Sequence, residues 1–103
     1  MEKLSNSEEK VMLVIWQTKE PLTYIDVQAG VENRFGDTWK GQTVCTFIKR
    51  LKKKGYIATV KVGRFTQYEV LISIEDYRKM QLGEIIERLY LGNRTKLVEE
   101  LLE

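Results

Sequence analysis

The chain has 103 residues, of which 43% are hydrophobic and 31% are charged, and its formal net charge is +2. This length suits one compact domain with an appended element, and the charge balance by itself selects no class of partner. One cysteine and no histidine exclude an intrachain disulfide, a Cys/His zinc site within one chain, and histidine-based acid–base catalysis.

A first helix is predicted from a capping signal near the N-terminus. Ser5 and Glu8 have the spacing of a capping box, in which the Ser hydroxyl and the Glu carboxylate each bond a backbone N–H. Apolar residues at helical spacing extend the helix to about Thr18, and Pro21 prevents its continuation. The longest apolar run, residues 11–16, is too short to cross a membrane, and no signal-peptide core precedes it. We therefore expect a cytoplasmic protein without a membrane segment.

A second helix is predicted to begin at the capping signal Thr23–Asp26 and to run to about Asn33. Its apolar positions are Ile25, Val27 and Val31. A turn at residues 34–38 separates it from a third helix, which is predicted over about Lys40–Lys54, with Gly55 as the residue that ends it.

The third helix has an apolar face and a polar face. The apolar face, predicted to pack against the first two helices, consists of Val44, Phe47, Ile48 and Leu51 at i, i+3, i+4 and i+7. The opposite face begins with small uncharged side chains and ends with cations; its members are Gln42, Thr43, Cys45, Thr46, Lys49, Arg50 and Lys53. Trp39, just before the helix, is predicted to be a packing residue.

Basic residues are concentrated in the middle of the chain. Between Asp37 and Glu69 there are eight basic residues and no acidic residue. This segment therefore carries a net charge of +8, and the rest of the chain carries −6. A cluster of a single sign indicates a polyanionic partner. A solvated surface is one alternative, and attraction of lysines to the helix C-terminus is another. The second alternative does not account for Lys61 and Arg64, which lie beyond the helix.

After Gly55 the hydrophobic period changes from that of a helix to that of a strand. The runs "YIATVKV" and "FTQYEVLI" are separated at Gly63 and predict a β-hairpin. Beyond Ile74 the helical period returns and is interrupted at "LGN", residues 91–93. The sequence therefore predicts a mainly α fold with a small β-hairpin: a winged helix-turn-helix DNA-binding domain over residues 1–73, followed by a helical dimerisation region over residues 74–103.

The C-terminal region is rich in apolar residues that a winged-helix core of about 70 residues cannot cover. We predict that they form a homodimer interface, which consists of Ile85, Ile86, Leu89, Tyr90, Leu97, Val98, Leu101 and Leu102. Folding of this region back onto the first helix is the alternative.

In a helix-turn-helix, the N-terminal part of the recognition helix contacts base edges in the major groove. We therefore predict double-stranded DNA as the partner, with base reading by Gln42, Thr43, Cys45 and Thr46. The predicted contacts to the DNA backbone are Lys40, Lys49, Arg50, Lys53, Lys54, Lys61 and Arg64. As alternatives, the two threonines are tolerated surface residues, and Cys45 is either a small neutral residue or a redox switch.

Three segments, "LSNSEEKVMLVIW", "DTWKGQTVCTFIKRLKKKGYI" and "FTQYEV", resemble the penicillinase-repressor family, the BlaI/MecI/CopY group of bacterial transcriptional repressors. The similarity runs over about residues 4–91. It implies a winged-helix N-terminal domain, a helical C-terminal dimerisation domain, and repression through binding of inverted-repeat operators as dimers. By this resemblance, the four predicted base-reading residues fall at base-contacting positions and Arg50 at a backbone-contacting position.

The chain also departs from the family pattern. Several β-lactam-responsive relatives carry Pro, Lys and Arg where this chain has Gly41, Gln42 and Cys45, so a different operator sequence is expected. The cysteine motif of the copper-responsive branch is absent, and no Asn-Phe bond, the cleavage site of the β-lactam branch, occurs. The resemblance therefore predicts neither copper sensing nor induction by cleavage at such a bond.

The competing functional hypothesis is a winged-helix module that binds an acidic protein partner instead of DNA. An enzyme is not expected, because the sequence has no recognisable nucleophile–base pair or phosphate-binding loop. No cofactor, metal or small-molecule ligand is predicted.

Overall fold

The computed structural model describes residues 1–103, which form two compact units, Met1–Ile72 and Ser73–Glu103. The elements of the first unit are α1 (Asn6–Gln17), α2 (Tyr24–Phe35), α3 (Gly41–Lys53), β1 (Ile57–Val62) and β2 (Phe65–Val70). The second unit contains α4 (Ile74–Tyr90) and α5 (Arg94–Leu101). This order confirms the predicted mainly α layout of a winged helix-turn-helix followed by C-terminal helices.

The capping signals determine where α1 and α2 begin. The Ser5 hydroxyl accepts from the Glu8 N–H at 3.1 Å, and Glu8 Oε1 accepts from the Ser5 N–H at 2.8 Å, which confirms the capping box. At α2, the Asp26 carboxylate accepts from both the N–H and the hydroxyl of Thr23, at 2.9 and 3.1 Å. The helix continues slightly past its predicted end, to Phe35, and Gly36, with a φ of 78°, provides the left-handed cap.

The hydrophobic core of the first unit lies among α1, α2, α3 and the start of the hairpin. Its buried apolar residues are Val11, Met12, Val14, Ile15, Val27, Val31, Val44, Ile48, Leu51, Tyr56 and Ile57. Each such aliphatic side chain stabilises the folded state by ~1.5–3 kcal/mol relative to full exposure.

Two apolar residues of α2 and α3 are less buried than the core residues of these helices. Ile25 is 59% exposed, because it precedes the buried Val27 by two positions and so lies about 200° around the helix from it. Phe47 is only half-buried, at the edge of the α3 core face. Of the three apolar positions of α2, Ile25 therefore lies outside the core, whereas Val27 and Val31 are buried.

Gly30 allows α1 and α2 to approach closely. A Cβ atom at this position would lie 2.6 Å from Cγ1 of Val14. Glycine lowers the intrinsic stability of a helix, and here it is needed because any larger residue would collide with α1.

The two strands form an antiparallel hairpin in which Ile57 is opposite Val70 and Val62 is opposite Phe65. The turn consists of Gly63, with a φ of 60°, and Arg64. Because side chains alternate along a strand, the hairpin has two faces. The face turned toward α3, termed the inner face, carries Ile57, Thr59, Lys61, Thr66, Tyr68 and Val70. The outer face carries Ala58, Val60, Val62, Phe65, Gln67 and Glu69.

In the second unit, side-chain caps define the two helices. The Ser73 hydroxyl accepts from the Asp76 N–H at the start of α4, and Asn93 Oδ1 accepts from the Lys96 N–H at the start of α5, both at 3.1 Å. The turn between the helices contains Leu91 in the left-handed region, with a φ of 50°. It therefore occurs at the "LGN" interruption of the apolar pattern.

Candidate nucleic-acid interface

The outward side of α3 is a continuous polar and cationic stripe. Gln42, Thr46, Lys49 and Lys53 follow at i, i+4, i+7 and i+11, and all four are exposed. Arg50 is also exposed. Thr43 and Cys45 are half-buried, at the margin of the stripe. The stripe therefore runs from uncharged side chains at the first turn to cations at the last.

The hydroxyl group of Thr46 is already used within the helix. It donates to the backbone carbonyl of Gln42 at 3.0 Å, as threonine side chains in helices often do. This bond engages the hydroxyl proton and leaves the methyl group exposed on the helix surface. Thr46 is therefore equipped to make an apolar contact, such as the one that a thymine methyl group offers in the major groove.

The N-terminal end of α3 is attached to α2. The Gln28 side-chain amide donates to the backbone carbonyl of Trp39 at 2.8 Å. The Trp39 ring packs on Phe47 with 5.0 Å between the ring centroids, which confirms the prediction that Trp39 is a packing residue. A Cβ atom at Gly41 would lie 3.2 Å from Cε2 of Tyr24. The first turn of α3 is thus closely packed against α2.

The C-terminal end of α3 is attached to the N-terminal segment and to α1. The Lys54 ammonium lies 2.6 Å from Glu8 Oε1 and donates to the backbone carbonyl of Lys3 at 2.8 Å. Next to it, the Tyr56 hydroxyl donates to the carbonyl of Glu2 at 2.5 Å. Lys54 was predicted to contact the DNA backbone, and in the structure its ammonium has an internal carboxylate partner. No local sequence signal indicates this pair, because 46 residues separate its members.

Glu8 is the one buried charged residue of the chain, with only 2% of its surface exposed. Burial acts to raise its pKa, but hydrogen bonds from Lys54 and from Ser5 outweigh this effect and hold the pKa below the usual value. The carboxylate therefore remains charged, and it serves both the cap of α1 and the end of α3.

The hairpin is attached to the last turn of α3 on its inner face. Lys52 Nζ donates to the Thr59 hydroxyl at 3.0 Å. Lys61 and Arg64, farther along the hairpin, are exposed. Lys40, which caps α3 at its N-terminal end, is also exposed. Exposed cations therefore occur at both ends of α3 and at the hairpin tip.

Tyr24 and Tyr68 are two residues of this region that the sequence analysis did not single out. Burial raises the pKa of the Tyr68 phenol, and the nearby Cys45 thiol and Tyr24 phenol add to the rise. Tyr68 therefore lies on the inner face of the hairpin in the vicinity of Cys45. The strand alternation could have placed Tyr68 on the face of Thr59 and Lys61, but not beside Cys45.

On the second unit, the residues predicted to form a dimer interface differ in exposure. Leu89, Val98, Leu101 and Leu102 are exposed, whereas the remaining four are half-buried. The Tyr90 hydroxyl donates to Glu100 Oε2 at 2.6 Å and connects α4 to α5. Hydrogen bonding to Glu100 favours the neutral phenol and so raises the pKa of Tyr90.

Other types of site are not observed. The chain has no group of three or more His, Cys, Asp or Glu side chains placed to hold a metal ion. None of its helices combines the length and the apolar character needed to span a membrane.

Comparison with known proteins gives a consistent result. The family described as "Penicillinase repressor" matches residues 4–103. The methicillin resistance regulatory protein MecI of Staphylococcus aureus (strain N315) is 30% identical over 101 residues, covering 97% of this chain and 79% of the relative. The penicillinase repressor of Bacillus licheniformis is 31% identical over 100 residues, covering 97% of this chain and 76% of the relative.

A solved structure is also similar to this chain. It is the solution structure of Bacillus licheniformis BlaI, in its monomeric form, in complex with the blaP half-operator. The similarity has a TM-score of 0.60 and 32% sequence identity, and it covers 74% of this chain and 89% of the BlaI chain.

Proposed function

The chain belongs to the penicillinase repressor family, and on that basis we propose that it is a sequence-specific DNA-binding transcriptional repressor. We further propose that it acts as a homodimer on an inverted-repeat operator. The observation that carries the proposal is the exposed stripe of α3, which is uncharged at its first turn and cationic at its last. The similar BlaI structure, described in complex with a half-operator, supports DNA as the partner.

The first turns of α3 are proposed to read bases. Gln42 is exposed and can bond adenine through both of its amide atoms. Thr46 presents its methyl group, since its hydroxyl donates within the helix. Thr43 and Cys45, at the half-buried margin of the stripe, contribute short side chains that allow the backbone of α3 to approach the groove.

Cations at the ends of α3 and on the hairpin are proposed to contact phosphates. They are Lys40, Lys49, Arg50, Lys53, Lys61 and Arg64. Lys54 is given a positioning role, because its ammonium is paired with Glu8. If a dimer neutralises about eight phosphates, log K should fall with log salt concentration with a slope of about −7.

Exposed apolar residues of α5 and of the turn before it support the proposed homodimer. Leu91, Leu101 and Leu102 are each more than 70% exposed. Exposed apolar surface of this kind is typical of protein interfaces. A two-fold dimer would place two recognition helices on the two halves of an inverted repeat.

Selection of bound fragments from random duplex DNA tests this function. The expected result is an enriched inverted repeat, which the protein prefers to scrambled duplexes and binds with a steep salt dependence. Equal affinity for all duplexes, or no binding at low salt, would contradict the proposal. The same experiment separates a DNA-binding repressor from a module that binds an acidic protein, since such a module would enrich no sequence.

A further inference from the structure

Three side chains form a stacked group along one side of α3. The rings of Trp39 and Phe47 pack with 5.0 Å between their centroids and a tilt of 53°. The Arg50 guanidinium lies over the Phe47 ring, 5.7 Å from its centroid. We call Trp39, Phe47 and Arg50 the arginine stack. Phe47 is half-buried and Arg50 is exposed, so the arginine stack runs from the packed side of α3 to its surface.

Arg50 lies at the border of the exposed stripe of α3. It follows Phe47 by three residues and Thr46 by four, so it lies about 60° around the helix from Phe47 and about 40° from Thr46, on the opposite side. Thr46 is exposed and presents its methyl group. The Arg50 guanidinium therefore stands between the Phe47 ring and the surface that is proposed to face DNA.

The arginine stack is fixed at its base. The Trp39 carbonyl accepts from the Gln28 amide at 2.8 Å, which attaches the start of α3 to α2. The ring of Trp39 then supports the ring of Phe47. A guanidinium over an aromatic face is held by cation–π attraction and by stacking of its planar group. The arginine stack therefore restricts a side chain that would otherwise move freely at the surface.

The hydrogen-bond donors of Arg50 remain available for an external anion. The observed contact of the guanidinium is with the ring, and no salt bridge of Arg50 is observed. Its five N–H donors form a rigid fork that matches the oxygens of a phosphate group. Binding normally carries an entropic cost for each long side chain that it immobilises. A side chain that is already held in place reduces this cost.

We propose that Phe47 is a positioning residue for DNA binding, whose ring holds the Arg50 guanidinium ready for a bidentate contact with a phosphate. This inference rests on the proposed function and gives a half-buried residue of α3 a part in affinity. Phosphate contacts fix the position of a protein along a duplex. The alternative is that Phe47 only completes the edge of the core, and that the Arg50 stem covers it as long cationic side chains often do.

The first part of the test is Phe47→Leu, which removes the aromatic face and keeps an apolar side chain. Affinity for a duplex selected by the wild-type protein should fall about threefold for each half-site, or about tenfold for a dimer on the full operator. The salt slope should not change, because the charge of Arg50 is retained. Phe47→Tyr restores the aromatic face and should bind as the wild type does.

A double-mutant cycle with Arg50→Gln separates positioning from packing. If Phe47 acts through Arg50, Phe47→Leu should cause no further loss of affinity in the Arg50→Gln protein. If Phe47 only completes the core, the loss should be the same in both backgrounds. Arg50→Gln by itself should weaken binding and reduce the salt slope by about 0.9 per protomer.

Phe35→Leu is the matched control. Phe35 is also half-buried, and it has two cations over its ring, Lys10 at 5.6 Å and Arg34 at 5.2 Å. Neither cation is among the proposed phosphate contacts. The same substitution therefore removes the same kind of contact outside the proposed interface, and it should leave affinity for DNA unchanged.

NMR spectroscopy of the free wild-type protein tests the arrangement without any substitution. The side-chain protons of Arg50 should be shielded by the Phe47 ring, and its Nε–H group should be more rigid on the picosecond-to-nanosecond timescale than that of Arg64, which is exposed in the hairpin turn. An Arg50 side chain as mobile as that of Arg64 would refute the positioning role, whether or not Phe47→Leu folds.

The outcomes distinguish this inference from the proposed function. Phe47→Leu that binds as tightly as the wild type, an equal loss in both backgrounds, or an Arg50→Gln protein with unchanged affinity would each refute the role of Phe47. In all three cases the selected half-site and the salt slope of the wild type would still support a DNA-binding repressor. A wild-type protein that binds no duplex would overturn both.

Discussion

Lys54, the residue that caps the end of α3, forms a 2.6 Å ion pair with Glu8, a residue of the first turn of α1 that is only 2% exposed. The same carboxylate caps α1 through Ser5. The position of α3 is thus coupled to the start of the chain by one buried charge.

Glu8→Gln should lower the free energy of unfolding by about 1–3 kcal/mol at pH 7, because it leaves the Lys54 ammonium without its charged partner. Urea unfolding at neutral pH measures this difference. Glu32→Gln, at an exposed position of α2, is the control and should change the stability by less than about 0.5 kcal/mol. Equal effects of the two substitutions would show that the Glu8–Lys54 pair contributes nothing to the free energy of unfolding.

The same pair predicts a pH dependence. Because the pKa of Glu8 in the folded state is lowered below the usual value of a glutamate, the charged pair stabilises the protein above that usual value. This contribution is lost as the pH falls through the pKa of the folded state. The stability difference between wild type and Glu8→Gln should therefore be constant from pH 7 to about 5 and shrink in more acidic solution. If this stability difference instead grew on acidification, the charged Glu8–Lys54 pair would not be the source of the stabilisation.

Lys53 and Lys54 are neighbours in sequence with different partners, and they should affect DNA binding differently. Lys53→Gln should reduce the salt slope by about 0.9 per protomer and weaken binding to all sequences, because Lys53 is exposed and proposed to contact a phosphate. Lys54→Gln should lower stability with little change in slope, since its ammonium already has a carboxylate partner. Binding titrations at four or five salt concentrations measure both slopes. A larger change in slope for Lys54→Gln than for Lys53→Gln would contradict the roles proposed for the two lysines.

Two substitutions of Thr46 separate its methyl group from its hydroxyl group. Thr46→Ser keeps the intrahelical hydroxyl and removes the methyl group, so preference for thymine at the contacted pair should fall about fourfold, the value of one buried methyl group. Thr46→Val keeps a methyl group and should retain the preference. Competition between duplexes that differ at this one base pair gives the measurement. Retained preference in the serine variant would exclude the methyl contact.

Gly30 and Gly83 both lie inside helices but have different surroundings. A Cβ at Gly30 would collide with Val14 at 2.6 Å, whereas nothing lies within 4 Å of a Cβ at Gly83. Gly30→Ala should therefore destabilise the protein by about 1–3 kcal/mol, while Gly83→Ala should stabilise its helix by about 0.5–1 kcal/mol. Thermal unfolding of both variants measures the contrast. A stabilising alanine at position 30 would show that α1 and α2 can separate at little cost.

The proposed dimer is tested by a charge placed on the exposed apolar surface. Leu89→Lys and Val98→Lys should weaken self-association by two orders of magnitude or more, because a charge at the centre of an interface is left without a partner. Arg88→Lys, at the position before Leu89, keeps the charge and should have no effect. Sedimentation equilibrium reports the association constant. A monomeric wild-type protein would refute the dimer, and dimerisation that is unchanged by both lysine variants would place the interface elsewhere.

Local patterns predicted the elements of this fold well, and pairings distant in sequence were not predictable. The Ser5–Glu8 cap and the turn at Gly63 depend on residues within a few positions of each other, so the sequence displays them directly. The Glu8–Lys54 pair depends on how α1 and α3 pack. Ile25 shows a different limit, because hydrophobicity alone did not indicate on which side of α2 it lies.

For the candidate site, helix periodicity predicted the exposed stripe of α3. It did not predict the hydrogen bonds and the neighbours of the side chains in the stripe. The sequence gives no sign that the Thr46 hydroxyl is engaged with Gln42. Nor does it show that Tyr68 and Cys45 are neighbours, since this proximity arises from the orientation of the hairpin relative to α3. By contrast, the pairing of Val62 with Phe65 follows directly from the hairpin pattern once the turn at Gly63 is known.

The attachment of α3 at both ends, by Gln28 at Trp39 and by Glu8 at Lys54, has a consequence for the thermodynamics of operator binding. A helix held in this way has lost most of its orientational freedom before it meets a ligand, so association should require little reorganisation of the reading surface. Differences in affinity between operators would then reflect protein–DNA contacts and the deformation of the DNA. Conformational adjustments of the protein would contribute less to these differences. Loosening either attachment should make binding less favourable in entropy even where every contact with the duplex is retained.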